Sequence, residues 1–210
     1  QKKETQEKEY KVADHEIYNT AHTYHLVQSE KQLEDLISLW KDAELISFDT
    51  ETTGIDANQA QLVGMSFCIK ATDAYYVPVP EETELTTKLI LKFKSLLEDT
   101  SKKFIGQNIK YDMLMMRWYG VELPTPEFDT MIAHYLLEPD HRHKLDYLAE
   151  AYLNYKMVAI EELIGKKGTG QGSMRDVALE KIKEYAAEDA DMTLQIYKIL
   201  KEEIAKENLT

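Results

Sequence analysis

The sequence contains few residues that could cross-link the chain or anchor it in a membrane. Its 210 residues include one cysteine, Cys68, so no internal disulfide can form. No apolar run approaches the roughly 18 residues that a transmembrane helix needs, which excludes a membrane-spanning class. Cys68 lies in an alternating apolar stretch, a position typical of core packing, and a lone cysteine agrees with a reducing compartment. We therefore expect a cytoplasmic protein without a membrane partner.

Positive charge is also scarce. Lys and Arg total 25 against 38 Asp and Glu, which gives a net charge of −13 at pH 7. Proteins that bind nucleic acid on their own usually neutralise phosphates with a basic surface, so this balance argues against a stand-alone binding module. A site that binds phosphates through divalent cations is not excluded, because such a site requires clustered carboxylates.

The start of the chain lacks both an initiator Met and a charged-then-apolar leader. Because the sequence begins at Gln1, we expect a piece of a longer protein without a secretory signal. Residues 1–22 are polar and charge-mixed, which predicts a linker or tail. The composition of the whole chain, 43% hydrophobic and 30% charged, indicates a globular protein, and the length fits one domain.

The apolar periodicity predicts a mixed α/β domain. Three strand-like runs separated by short polar turns indicate a β-meander. A short strand then leads into a helix that Asn108 could cap, and the rest is mostly helical. The predicted strands are residues 44–51, 61–70, 74–79 and 103–106, and the two clearest helices are residues 109–119 and 177–205.

Glycines are concentrated in one segment. Residues 165–172 hold four glycines in eight positions, which predicts a loop. The segment follows no apolar strand and lacks a Gly-Lys-Ser/Thr ending, so its likeness to a phosphate-binding loop is weak. A flexible linker is the favoured interpretation, and a flap whose Lys166 and Lys167 touch a substrate is the alternative.

Two carboxylates end the first strand of the meander. Asp49 and Glu51 follow an apolar run, and the alternation of a strand places both side chains on one face. Burial and mutual repulsion disfavour two like charges there unless cations or water compensate them. A strand that has emerged into solvent is the alternative, so this pair alone decides little.

Two further acids lie at positions of local structural interest. Asp112 follows a strand-to-helix junction, in the first turn, where the helix dipole favours negative charge. Asp189 lies in the final helix, and Tyr185 precedes it by four residues on the same face. Glu188 and Asp191 turn away from Asp189, and we expect both to be solvated.

In combination, these motifs resemble the DEDD superfamily of exonucleases, in its tyrosine-bearing branch. The histidine-bearing branch places a histidine five residues before the last acid, where this sequence has Glu184. The chain is most similar to the proofreading domain of bacterial DNA polymerase I, from about residue 26 to residue 200. The motifs that carry the resemblance are FDTET (48–52), LVGMSF (62–67), GQNIKYD (106–112), FDTM (128–131) and YAAEDADMTLQ (185–195).

The resemblance implies a ribonuclease H-like α/β fold, with a mixed five-stranded sheet and helices on both faces. It implies that residues 23–204 form a 3′→5′ exonuclease domain, after a linker or tail at 1–22. Residues 205–210 would begin the link to a polymerase domain of the same chain. The implied substrate is the 3′ end of single-stranded DNA, in a bacterial cytoplasm at the nucleoid.

The resemblance also implies a site for two Mg²⁺ or Mn²⁺ ions. Asp49, Glu51 and Asp189 would hold one ion, and Asp49 would reach a second ion whose water shell Asp112 supports. Tyr185 would orient the attacking water. The products would be nucleoside 5′-monophosphates.

Further positions match residues with which the family contacts its substrate. Ile55 stands where the family has an apolar wedge, and Ile160 approximately where it has an aromatic residue, so we expect a weaker stacking grip there. For the polar positions, capping or a solvated charge is an equally good interpretation. The matched positions are Thr52, Ile55, Gln107, Asn108, Lys110, Arg142 and Ile160.

Three histidines lie close together in the sequence. His134, His141 and His143 fit no usual zinc spacing, and the last two flank Arg142 in a polar stretch. We therefore expect surface histidines.

Two alternatives to a proofreading enzyme remain open. One is a structural relic that kept the fold and supports a polymerase domain, and the presence of all four acids and Tyr185 argues against it. The other is a stand-alone exonuclease that processes RNA or repairs DNA, and the match at residues 185–195 argues against that.

Overall fold

A computed structural model describes residues 13–209 and shows a mixed α/β domain. The strands are β1 (His15–Glu16), β2 (Thr23–Leu26), β3 (Leu45–Thr52), β4 (Leu62–Lys70), β5 (Asp73–Pro78), β6 (Lys103–Gly106), β7 (Phe128–Asp129) and β8 (Tyr155–Lys156). The helices are α1 (Glu30–Lys41), α2 (Thr83–Leu91), α3 (Lys94–Leu97), α4 (Lys110–Trp118), α5 (Thr130–Leu137), α6 (Leu145–Leu153), α7 (Ile160–Ile164) and α8 (Leu179–Lys206).

The main sheet contains six strands in the order β2-β5-β4-β3-β6-β7. β3 pairs antiparallel with β4 and parallel with β6, and β4 pairs antiparallel with β5, which is the predicted meander. The expected five strands are joined by the two-residue strand β7, which pairs parallel with β6 at the edge. The predicted mixed α/β class is therefore confirmed, with one more short strand than expected.

Helices cover both faces of this sheet. On one face, Phe48 of β3 and Phe67 of β4 pack with Trp40 of α1, whose ring centroid lies 3.9 Å from that of Phe67. On the other face, Cys68 packs with Ala187 and other side chains of α8, and it is fully buried as expected. Because strand side chains alternate, Asp49 and Glu51 point to the α8 face and Thr50 points to the α4 face.

Part of the predicted linker packs against the domain. Residues 1–12 lie outside the described residues. In the following segment, β1 pairs parallel with β8, and Ile17 is only 6% exposed. The buried side chain of Ile17 and the pairing of β1 thus hold this segment on the domain. The boundary at residue 22 stays a prediction.

The junction between β6 and α4 is not capped as predicted. Asn108 has a φ of 58°, in the left-handed region, and its side chain does not cap α4. The carboxylate of Asp129 instead accepts hydrogen bonds from the backbone N–H groups of Asn108 and Ile109, at 3.0 and 3.1 Å. A distant acid therefore holds the turn before α4, and Asn108 does not act as the predicted cap.

The glycine-rich segment forms the expected loop. Residues 165–172 contain neither helix nor strand and are exposed, and Gly165 and Gly168 have positive φ angles. Among the described residues, no helix combines the length and the hydropathy that crossing a bilayer would require.

Candidate metal centre

Three carboxylates from two elements converge on the α8 face of the sheet. Asp49 and Glu51 of β3 and Asp189 of α8 each offer an oxygen, and these oxygens lie within 4.8 Å of one another. The helix can approach the strand closely because Ala186 and Ala190, which flank this part of α8, are fully buried and small. The family resemblance implied that these three acids lie together, and the structure brings them together.

Cationic side chains do not compensate the cluster. No Lys, Arg or His among the described residues forms an ion pair with Asp49, Glu51 or Asp189. Glu51 is only 7% exposed, and the other two are partly buried. Buried carboxylates normally have a paired cation or a bound metal ion. The described side chains alone therefore leave the negative charge of this site uncompensated.

The pKa values of these three carboxylates are all raised, as expected for buried acids without a cationic partner. Burial raises the pKa of Asp49 to about 7. Burial, reinforced by the neighbouring charge of Asp49, holds the pKa values of Glu51 and Asp189 well above their usual range. A divalent cation would replace these protons, and an all-oxygen donor set suits the hard ions Mg²⁺ and Mn²⁺. The residues present therefore fit such an ion.

Asp112 lies beside the three-carboxylate group without belonging to it. It sits in the first turn of α4 and is 3% exposed. Its Oδ1 accepts hydrogen bonds from the backbone N–H and the hydroxyl of Thr50, at 3.0 and 2.5 Å. Burial and then the charge of Asp49 raise its pKa, which places Asp112 within electrostatic reach of the cluster.

Tyr185 lies one helical turn before Asp189. The charge of Asp189, followed by burial, raises the pKa of Tyr185 well above its usual range, and Glu51 and Asp49 add to the shift. The phenol therefore keeps its proton and remains a hydrogen-bond donor next to the carboxylates. Tyr185 also lines a cavity of about 470 Å³ with Ile17 and Val158.

Glu188 is buried, and the expectation that it is solvated was wrong. Its side chain has no exposed surface, and its oxygens accept hydrogen bonds from the hydroxyl of Tyr155 and the backbone N–H of Val158, both at 2.8 Å. α8 is covered on one side by the sheet and on another by α6 and β8, so the side chains that turn away from Asp189 meet protein.

Asp191 is buried in the same way, also against the sequence prediction. It accepts hydrogen bonds from the hydroxyl of Tyr24 at 2.8 Å, and from Thr72 N–H and Gln195 Nε2 at 2.9 Å each. These donors come from β2, from the β4–β5 turn and from α8 itself. Asp191 therefore ties α8 to β2 and to the β4–β5 turn.

The predicted substrate contacts divide into exposed and internally bonded groups. Ile55, at 92%, and Ile160, at 37%, are exposed apolar side chains. Gln107 donates a hydrogen bond to the backbone carbonyl of His143 at 2.6 Å, and the hydroxyl of Thr52 donates to the carbonyl of Gly54 at 2.8 Å. Lys110 and Arg142 are exposed, and Asn108 is partly buried at the left-handed turn before α4.

Tyr111 holds the loop after β3 in place, a role that was not predicted from the sequence. Its hydroxyl donates to the carbonyl of Gly54 at 2.5 Å and lies 2.8 Å from the hydroxyl of Thr52. It thereby ties α4 to the loop that follows β3. Its position next to Asp112, inside the GQNIKYD motif, was the available signal.

The histidine prediction was wrong for His134. This residue is 2% exposed, and its Nδ1 lies 2.7 Å from Nδ1 of His143. Burial lowers the pKa of His134 to about 4, so the ring is neutral near pH 7. His141 is exposed, as expected.

Comparison with known proteins gives a consistent result. Residues 24–205 match the family described as 3′–5′ exonuclease. The chain is 34% identical over 189 residues to DNA polymerase I of Borreliella burgdorferi, covering 89% of this chain and 20% of that protein. It is 38% identical over 187 residues to DNA polymerase I of Pseudomonas aeruginosa, covering 84% of this chain and 20% of that protein. The chain thus spans about a fifth of the length of these curated relatives.

Solved structures share the fold at low identity. Brucella melitensis NrnC has a TM-score of 0.69 and 19% identity, over 90% of this chain and 84% of that one. The catalytic core of RRP6 from Trypanosoma brucei has a TM-score of 0.68 and 17% identity, over 95% of this chain and 52% of that one. These likenesses concern the fold alone, and they confirm the ribonuclease H-like architecture expected from the sequence.

Proposed function

Because the chain belongs to the 3′–5′ exonuclease family, we propose that it hydrolyses the 3′-terminal phosphodiester of single-stranded DNA or of frayed primer ends. The reaction uses two divalent ions, Mg²⁺ or Mn²⁺, and releases nucleoside 5′-monophosphates. The observation that carries the proposal is the group Asp49, Glu51 and Asp189, whose oxygens lie within 4.8 Å of one another without a cationic partner among the described residues.

The biological setting is part of the proposal. The similarity to bacterial DNA polymerase I supports a proofreading role in the cytoplasm, with a polymerase domain in the same full-length chain as the partner. The net charge of −13 gives the domain little intrinsic attraction for DNA, so a tethered partner would hold most of the substrate. Residues 23–204 would be the exonuclease domain, and residues 205–210 would begin the link.

The four acids would bind the two ions in different ways. Asp49, Glu51 and Asp189 would hold one ion, and Asp49 would also reach a second ion that Asp112 supports through water. When bound, two such ions lower the pKa of the attacking water and stabilise the leaving 3′ oxygen. A structure of the fold neighbour NrnC is described as having bound Mg²⁺, which agrees with an ion in this architecture.

Neighbouring side chains position these groups. Tyr185, which keeps its proton because Asp189 raises its pKa, orients the attacking water through its hydroxyl. Thr50 fixes the carboxylate of Asp112 with two hydrogen bonds. The raised pKa values of the acids without metal mean that metal binding releases protons, so activity falls as the pH falls.

The exposed residues around the cluster would hold the terminal nucleotides. Ile55, at the tip of the loop after β3, would wedge against the terminal base, with Ile160 of α7 as a second apolar contact. Lys110 and Arg142 would meet phosphates, and Thr52, Gln107 and Asn108 would complete the contacts. Only an unpaired end can enter between such groups, so single strands and frayed ends should be cut faster than paired ends.

A gel assay of a 5′-labelled single strand with Mg²⁺ tests the proposal. We expect a ladder that shortens from the 3′ end, slower shortening of a matched blunt duplex, and no reaction in excess EDTA. A folded protein that leaves the strand intact would indicate the structural relic. Undiminished hydrolysis in EDTA, or equal rates on the duplex, would contradict the mechanism and the substrate respectively.

A further inference from the structure

α4 exposes two large apolar side chains that the core does not use. Trp118 is 63% exposed and Leu114 is 48% exposed. At about 100° per residue, Tyr111, Leu114 and Trp118 follow one another along one side of the helix. An indole that is mostly outside the core contributes little to packing, so most of its ring surface is accessible to a ligand.

This side of α4 adjoins the loop that follows β3, the strand that carries Asp49 and Glu51. The loop of residues 53–60 begins two residues after Glu51, at the end of β3, and contains Ile55. Tyr111 donates to the carbonyl of Gly54 at 2.5 Å, and Trp118 Nε1 donates to the carbonyl of Ala57 at 2.9 Å. Two aromatic side chains of α4 therefore flank the loop that is proposed to meet the terminal base. They are seven residues apart, or about 10 Å along the helix axis.

Two cations run beside the apolar row. Lys110 and Arg117 are also seven residues apart, are exposed, and each precedes an aromatic residue of the row. Lys110 forms no ion pair within residues 13–209. Arg117 pairs with Glu122 at 2.7 Å, and a pair so exposed is weak.

The charge on this surface differs from that of the chain as a whole. The one acid of α4, Asp112, turns inward and is 3% exposed, so the outer side of the helix is cationic in a chain of net charge −13. A row of positive charge beside aromatic rings is the combination with which proteins bind single strands, since the cations follow the phosphates and the rings stack on bases.

We propose that Trp118 is a stacking platform for a base of the single strand upstream of the terminal nucleotides, with Lys110 and Arg117 beside its phosphates. The inference rests on the proposed function, because that function places the 3′ end at the carboxylates. At about 3.4 Å per stacked nucleotide, the distance along α4 corresponds to roughly three nucleotides. Trp118 thus supplies an aromatic face that Ile55 and Ile160 cannot offer.

Intrinsic fluorescence can detect the contact between a base and the indole of Trp118. The sequence has two tryptophans, and Trp40 is 1% exposed against Phe67, so a ligand at the surface reaches only Trp118. Mg²⁺-loaded protein is mixed with oligothymidylates of two to eight nucleotides in a stopped-flow instrument and observed before turnover. We expect quenching by strands of about four nucleotides or more, none by the dinucleotide, and none by any length in Trp118→Ala.

Steady-state kinetics on the same strands separate stacking from anchoring of the loop. Trp118→Phe keeps an aromatic face but loses the donor to Ala57, whereas Trp118→Ala loses both. We expect Trp118→Ala to raise KM for an octanucleotide roughly 5- to 100-fold with little change in kcat, and Trp118→Phe to stay within about three-fold of the wild type. Leu85→Ala, which removes an exposed leucine from α2, is the control and should change nothing.

The inference is overturned if Trp118→Ala leaves the KM of the octanucleotide unchanged, or raises the KM of the dinucleotide as much. Equal defects in Trp118→Phe and Trp118→Ala would also overturn it, since they would show that the indole only anchors the loop. If the wild type cuts no strand, the proposed function fails. The length-dependent quenching then still decides whether Trp118 binds a single strand.

Discussion

Thr50 donates both its backbone N–H and its hydroxyl to one oxygen of Asp112, at 3.0 and 2.5 Å. Thr50 lies between Asp49 and Glu51 on β3, and its side chain points to the opposite face of the sheet. The strand therefore carries two acids of the cluster on one face and positions Asp112 from the other. A contact of this kind, one step behind proposed metal ligands, fixes their orientation.

Thr50→Val should raise the Mg²⁺ concentration that exonuclease activity requires, without unfolding the protein. The substitution removes one of two hydrogen bonds to Asp112 and leaves the backbone contact. The loss of such a supporting contact typically costs about 10- to 100-fold in metal affinity or activity. We expect the Mg²⁺ concentration for half-maximal exonuclease activity to rise by that factor, while Thr125→Val at an exposed site leaves it unchanged. An unaltered Mg²⁺ dependence in Thr50→Val would show that Asp112 is held by other contacts.

Without metal, stability should fall as the pH rises towards neutrality. Burial raises the pKa of Asp49 to about 7, so between about pH 4 and pH 7 the folded protein binds more protons than the unfolded chain. The free energy of unfolding therefore decreases with pH across this window. Asp49→Asn removes the charge, and we expect its melting temperature in EDTA to exceed that of the wild type at pH 8 and to approach it at pH 5. Calorimetry at both pH values measures this, and a wild type that gains stability from pH 5 to pH 8 relative to Asp49→Asn would contradict it.

Tyr185→Phe should be impaired less than Asp189→Ala. The phenylalanine keeps the ring and both metal ions and loses only the hydroxyl that orients water. One positioning contact is typically worth about 1.5–4 kcal/mol in the transition state, or roughly 10- to 1,000-fold in rate. We expect the Tyr185→Phe defect in kcat with KM and Mn²⁺ binding nearly unchanged, and a larger loss in Asp189→Ala. A fully active Tyr185→Phe would reduce Tyr185 to a packing residue.

Asp191→Ala should destabilise the fold strongly. The substitution leaves the hydroxyl of Tyr24 and the N–H of Thr72 without their acceptor, and breaking a buried charged network typically costs about 3–5 kcal/mol. Urea titration measures the loss, and Glu180→Ala, at an exposed position of the same helix, should lie within about 0.5 kcal/mol of the wild type. A small effect of Asp191→Ala would imply that water replaces the carboxylate.

The sequence predicted the elements that carry the cluster because local patterns determine them. The alternation of β3 put Asp49 and Glu51 on one face, and the helical spacing put Tyr185 beside Asp189. The main strands and the two clearest helices begin and end within two residues of their predicted limits. For the two elements that bear the cluster, β3 and α8, the predicted ranges are residues 44–51 and 177–205.

The remaining features depend on contacts between distant segments. Glu188 and Asp191 look solvated on a helix with one apolar face, but their partners, such as Tyr155 and Tyr24, come from elements more than 30 residues away. Asn108 resembles a cap, yet its side chain does not cap α4, and Asp129 of β7 holds the turn before that helix instead. His134 lies in the apolar helix α5 and is buried by the packing around it, which the spacing of the three histidines did not indicate.

The measurement that tests the central claim most directly is to count bound Mn²⁺ and to measure exonuclease activity in the same samples of wild type and Asp49→Ala. Electron paramagnetic resonance of free Mn²⁺ gives the number of bound ions. We predict two ions and strand shortening in the wild type, with loss of both binding and activity in Asp49→Ala. A wild type that cuts DNA without binding Mn²⁺, or an Asp49→Ala protein that keeps more than about a tenth of the rate, would contradict the assignment of these carboxylates as the metal site.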